Sequence, residues 1–520
     1  MDDPKFPTRQ LTEEQAAAEK ARLEKEVLAA FAKDDFPAAE AGLRELIPLD
    51  HDNFVPWYNL ACALSMQKKT DEALEMLKQS IARGFADLRG LRSDPHLANI
   101  RTTDEYKAIE AAWGTILEKR TQRTIDNAKK KFKVGEKGSP YICEQDEALR
   151  LIYISAFDPA LFTEAKKEAQ KLEHWWQALA ASDTADKKST PDPTDQPIKK
   201  APTPESPLPS SPAPRSPASH SSPAPVLVIL PTRRDYVIWA LQRFGDRYDR
   251  VGGEYNHDAK TLVAMDLGSS WRHEFWHILH WRDMDQRGQR HPMWVMEGLC
   301  SLVEDCDTAD DGTMTPRPSW RTNMVARLGR SGSLIPWEVI FATTHKGFMG
   351  ERTLAYYAES RAMFLFLAER GHLSEWYRAY TANFKKDPTG KSAFESVLGK
   401  PIKECERDFR RWVATLPQVA EEVGRGQANL PVDVGLGTGS GPIVRIDEMA
   451  DFLAQGGRKP KNTQGLRDKD VITAIDNKPV RELNDLARVL GEYEAGKTVT
   501  VAYIRGKVHG ELKIKLIPPQ

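Results

Sequence analysis

Cysteine is scarce. The five residues, Cys62, Cys143, Cys300, Cys306 and Cys405, are scattered along 520 positions and odd in number. They form neither a disulfide framework nor a CxxC metal knuckle. Net charge is nearly absent, with 74 Lys and Arg against 75 Asp and Glu. That balance argues against a broad nucleic-acid footprint and against an anionic membrane as partner. Long apolar runs are missing as well. The longest aliphatic stretch, VLVIL at 226–230, is far short of the roughly 20 residues a spanning helix needs. The opening MDDPKFPTRQLTEEQ carries two acids where a secretory leader carries bases, and no apolar segment follows. The expectation is a soluble, cytoplasmic protein with reduced thiols, long enough for roughly three or four units.

Proline is unevenly spread. Twelve of the 34 prolines fall between Pro191 and Pro225, mixed with Ser, Thr, Ala and Lys. Such a segment buries too little apolar surface to offset its ordering entropy, so 183–225 reads as a disordered or polyproline insert. The run LRLIYIS at 149–155 precedes it and VLVIL follows it. Both read as strands. The insert then interrupts one domain, expected at 139–182 and 226–418, and the two strands pair across it.

From 11 to 113 the chain has helical periodicity and repeats itself. Leu23, Ala39 and Leu43 recur 34 residues later as Trp57, Ala73 and Leu77. That is the tetratricopeptide period. PWYNLACAL and DEALEMLKQSI resemble the two helices of one such repeat, and an all-α array would offer a concave face to a protein partner. The basic stretch 114–138, with its run KKKFK, reads as a helical linker with a solvated face.

The chemistry concentrates in SSWRHEFWHILHW at 269–281. Residues four apart share one face of a helix, so His273 and His277 can direct ring nitrogens at one zinc ion, at about 2.0–2.1 Å. Glu274 stands beside them as a general base for a zinc-activated water. His280 is excluded as a third ligand, since about 10.5 Å of helix axis separates it from His273; a rim position or a supporting role remains. Asp283, six residues after His277, is one alternative ligand, although the glycine turn that accompanies such a site is missing. Glu297, in HPMWVMEGLCSLVED, is the better candidate. A second helix carrying it can lie against the first and complete a His, His, Glu set with an open fourth position. Trp294, Val295 and Leu299 supply the apolar face for that packing.

With HEFWH followed by PMWVMEGLC, the region 149–416 resembles a peptidase MA-like domain of the gluzincin type. The resemblance implies an α+β zincin-like fold and zinc at His273, His277 and Glu297, with Glu274 as base. It also implies that GGEY at 252–255 lies on an edge strand that receives a peptide by strand addition. The helix LAYYAESRAMFLFLAERG is similar to the family's tyrosine-bearing helix. Tyr357, with Tyr356 as alternate, then stabilises the oxyanion. Cys300 stands where many relatives carry alanine, as a silent small residue, a redox-sensitive group or an extra ligand. No carboxylate partner for His273 is obvious; Glu304 and Asp305 are the nearest in sequence.

After 429 the texture turns to short strands. GLRDKDVITAIDNKPV at 465–480 resembles the signature of bacterial protease-associated PDZ domains, with Lys469 in place of a usual glycine. A PDZ domain is therefore expected at 429–519. The resemblance makes Val434, Gly435, Leu436 and Gly437 the loop that captures a peptide C-terminus, with the long segment 448–464 near the groove. The combined expectation is a zinc metallopeptidase, with one Zn2+, whose flanking modules recruit peptides and proteins. The alternative is a zinc-binding scaffold that no longer cleaves.

Overall fold

The computed structural model describes residues 11–181, 225–309, 313–423, 428–436, 442–444 and 462–518. The expected proline-rich insert lies outside them except for Pro225, as does nearly all of 448–464.

The chain is multidomain and rich in helix. It opens with helices Glu13–Phe31, Phe36–Leu46, Phe54–Met66 and Thr70–Arg83, each packed on the next. Thr12 starts the first through a capping box with Gln15, which satisfies donors the helix cannot pair internally. All six positions of the 34-residue repeat are buried in one core, with Ala39 and Ala73 fully enclosed. Short helices Leu88–Ser93 and Asp104–Ala111 follow, tied by the Tyr106 hydroxyl donating to the Leu91 carbonyl at 2.8 Å.

The basic helix Trp113–Lys131 is more than a linker. Its lysines face solvent, while Ile125 and Ala128 pack on Ile152, Ile154 and Leu227 and cover one face of a sheet. A helix with one apolar stripe needs such a surface. The sheet comprises β1 (Ile142–Asp146), β2 (Leu151–Ser155), β3 (Val226–Leu230), β4 (Gly253–Asn256) and β5 (Thr261–Ala264), ordered β1-β2-β3-β5-β4. β2 and β3 pair in parallel from Leu151 opposite Val226 to Ser155 opposite Leu230. The two strands flanking the insert thus meet as expected. β3 and β5 are parallel, whereas β4 is antiparallel to β5 and forms an edge.

The other face of the sheet shares a large core with the helices that follow. Three matter for the site: the motif helix Ser269–Arg287, the helix Met293–Glu304 and the helix Thr353–Ala368. Trp294, Val295 and Leu299 are fully buried where the second packs on the first. Gly298 lets the third approach. A Cβ there would lie 2.8 Å from a Phe364 ring carbon and 2.9 Å from Ser360 Cβ, closer than packed carbons tolerate.

The C-terminal unit is a small sheet with helix Leu483–Gly491 packed on it through Leu486, Val489 and Leu490. Lys469 adopts a φ of 66°, the left-handed conformation that glycine takes without strain. Of the expected carboxylate loop, Val434–Leu436 forms an edge strand paired on one side with Pro442–Val444, and Gly437 lies outside the described residues.

Candidate metal centre

The helical spacing brings the rings of His273 and His277 to a centroid separation of 4.9 Å. Their Nε2 atoms lie 3.2 and 3.6 Å from one oxygen, Glu297 Oε2, delivered by the second helix. That oxygen is buried and has no hydrogen-bond partner. A buried carboxylate is costly unless neighbouring charge compensates it. Burial favours the neutral acid, but the two histidines outweigh it and hold the Glu297 carboxyl well below the usual range.

The far nitrogen of each ring is occupied. His273 Nδ1 lies 2.9 Å from Glu304 Oε1, and Arg321 clasps Glu304 through Nε at 2.6 Å and Nη2 at 2.8 Å. Burial pulls the His273 pKa down, yet the Glu297 and Glu304 carboxylates beside its two nitrogens leave it raised to about 10. His277 Nδ1 lies 3.2 Å from Cys300 Sγ. His273, His277 and Cys300 form a buried group that could hold a metal. Glu297 instead offers a carboxylate oxygen on the Nε2 side of both rings. The Cys300 sulfur sits behind His277, on the nitrogen opposite the one that faces Glu297. Burial raises its thiol well above the usual value.

Glu274 is buried next to the pair. Burial raises its carboxyl, partly countered by His273, His277 and a backbone hydrogen bond from Tyr255 on β4. β4 touches it a second time: a Cβ on Gly253 would lie 2.8 Å from Glu274 Cγ and 2.6 Å from the Val263 carbonyl. The Tyr357 ring stacks 6.3 Å from His273. Burial and the adjacent Glu297 carboxylate push its hydroxyl well up. Both Tyr356 and Tyr357 pack on Phe348.

Two sequence alternatives fail. Asp283 accepts from the Tyr377 hydroxyl at 2.8 Å and from Arg287 Nε at 2.7 Å. Six residues of helix, about 9 Å of rise, carry it away from His277. His280 is not on a rim. It is fully buried, with Nε2 2.7 Å from His291 Nδ1. Sequence reasoning missed Arg321, which no local pattern connects to His273. It also missed Glu482, whose two oxygens accept from the Ser269 N–H at 2.8 Å and Oγ–H at 2.9 Å at the start of the motif helix.

Residues 457–516 match the PDZ domain family. No curated protein matches the chain. Among solved structures, a crystal structure of an aminopeptidase N family protein from Idiomarina loihiensis aligns over 73% of this chain and 67% of its own, at 11% identity and a TM-score of 0.26. Among the described residues, no helix is long and apolar enough to cross a membrane.

Proposed function

We propose that this protein is a zinc-dependent peptidase of the HExxH and distal glutamate type, with His273, His277 and Glu297 as metal ligands. The observation that carries the reading is the convergence of two Nε2 atoms on one buried, ionised carboxylate oxygen. Two imidazoles and a carboxylate are a donor set suited to catalytic zinc. When bound, zinc would act as a Lewis acid and bring the pKa of a coordinated water to about 7.

The remaining chemistry falls to the chain. Glu304 holds the His273 tautomer by accepting from Nδ1–H, which frees Nε2 for the metal. Glu274 accepts a proton from the attacking water and delivers it to the leaving amine. Burial raises its proton affinity toward the range in which a carboxyl does both. Tyr357 donates from its hydroxyl to the oxyanion. The outer edge of β4 receives the substrate backbone by strand addition, beside Glu274. In this reading 11–113 is a tetratricopeptide-like array for a protein partner, 139–182 with 226–418 is the zincin-like domain, and the PDZ domain presents peptide substrates.

Metal analysis and peptide cleavage by the full-length protein test it. About one zinc per chain is expected, lost in His273→Ala. Glu274→Gln should retain zinc and lose cleavage by a factor of about 10² or more. A wild-type protein without stoichiometric zinc sinks the reading; zinc retained with no cleavage of a broad peptide library leaves the scaffold.

A further inference from the structure

The motif helix is capped from another domain. Its N-cap residue is Gly268, which has no side chain to offer. The first turn of any helix leaves N–H groups unpaired. Here Asp266 takes those of Gly268 and Ser270, and Glu482, 213 residues further on, takes that of Ser269 together with its hydroxyl. Glu482 is itself the N-cap residue of the PDZ helix Leu483–Gly491.

Two ion pairs also cross the same interface. Arg481 reaches Glu168 at 3.0 Å, and Glu168 also pairs with Arg272 at 3.5 Å, one turn into the motif helix and only 1% exposed. Arg488 lies 3.4 Å from Asp307. A Cβ on Gly268 would lie 2.8 Å from Glu482 Oε1 and 3.3 Å from Arg481 Cβ. The missing side chain at 268 is therefore what admits the PDZ domain. The consequence for the site is local. The His273 N–H bonds the carbonyl one turn back, at Ser269, so the residue Glu482 clamps is the one that holds the His273 backbone.

We propose that the PDZ domain is a fixed part of the metal centre, with Glu482 as a positioning residue that closes the first turn of the motif helix and so holds His273 in place. Its effect on metal affinity rests on the ligand assignment proposed above; the cap itself does not.

Hydrogen exchange and zinc competition against a chromophoric chelator, on full-length protein, test both parts. Glu482→Ala should speed amide exchange over 269–273 by about ten-fold in the metal-free protein and weaken zinc by about three- to thirty-fold, the range a lost cap spans. The PDZ core around Leu486 and Val489 should stay protected. Glu482→Gln, whose amide oxygen still accepts from Ser269, should restore both readouts. Gly268→Ala should reproduce the Glu482→Ala signature from the opposite side of the interface, with Glu482 intact. Unchanged exchange over 269–273 in both Glu482→Ala and Gly268→Ala overturns the cap. Faster exchange with unchanged zinc affinity overturns the positioning role. A wild-type protein that binds no zinc overturns the ligand assignment instead, and the exchange arm then decides the cap alone.

Discussion

His273 and Glu304 are joined at 2.9 Å through the nitrogen that faces away from Glu297. A carboxylate in that place fixes ring orientation and tautomer and makes the other nitrogen a better donor. Glu304 is in turn held by two bonds from Arg321, so the orientation of one ring depends on a helix far outside the motif.

Glu304→Gln should therefore weaken zinc binding by about 10- to 100-fold, the usual cost of losing such a partner. Arg321→Ala should move affinity in the same direction by less, because Glu304 stays near His273 but loses its clasp. Competition with a chelator of known affinity measures both. Wild-type affinity in Glu304→Gln would show that His273 needs no partner to bind.

How far the sequence foretold this centre depends on how local each relation is. The His273 and His277 pair follows from helix geometry alone, and Glu297 from its spacing and its tryptophan and glycine neighbours. Glu304 could be named only as a nearby acid, since nothing in the sequence shows that the second helix runs back past His273. Arg321 and Glu482 were not legible, because each meets the site through packing between elements that share no periodic pattern. The pairing of β2 with β3 was foreseeable, as two apolar strands flanking one insert. Val434–Leu436, a loop on the PDZ resemblance, is a short edge strand.

Cys300 supplies a spectroscopic check on the donor set. With Glu297 as third ligand and the sulfur on the far side of His277, cobalt-substituted protein should lack a sulfur-to-cobalt charge-transfer band. Cys300→Ser should leave the cobalt spectrum unchanged. Glu297→Ala should lower cobalt affinity by at least about ten-fold, since a carboxylate ligand is removed outright. A charge-transfer band that disappears in Cys300→Ser would place the thiolate on the metal and displace Glu297 from the set.

Gly298 separates packing from chemistry. Its missing Cβ leaves room for Phe364 and Ser360 of the tyrosine helix. Gly298→Ala inserts a methyl group into a filled contact, at a cost of about 1–3 kcal/mol, seen as a lower urea midpoint. The substitution also pushes apart the helices that carry Glu297 and Tyr357. Cleavage should then fall more than the loss of folded protein accounts for under conditions where the variant remains folded. Unchanged stability would mean that the two helices have slack at this point.

The buried His280 and His291 pair should make the fold less stable in acid. Burial drives His280 well below its ordinary pKa and lowers His291 to about 3, helped in the latter by the charges of Arg287 and Arg290. Unfolded, each histidine titrates near its ordinary value of 6.5. Below that pH the unfolded chain takes up protons that the native pair refuses. Stability therefore falls as pH drops from 6.5 toward 3, by up to about 1.4 kcal/mol per pH unit for each group. Urea unfolding followed by tryptophan fluorescence at pH 7 and pH 5 measures the slope. His291→Asn should be less stable than wild type at pH 7, having lost the bond to His280, but should lose less between pH 7 and pH 5, because one of the two refused protons is gone. Equal slopes in the two proteins would mean that His291 takes up its proton within the native fold, and that its bond to His280 does not keep it neutral.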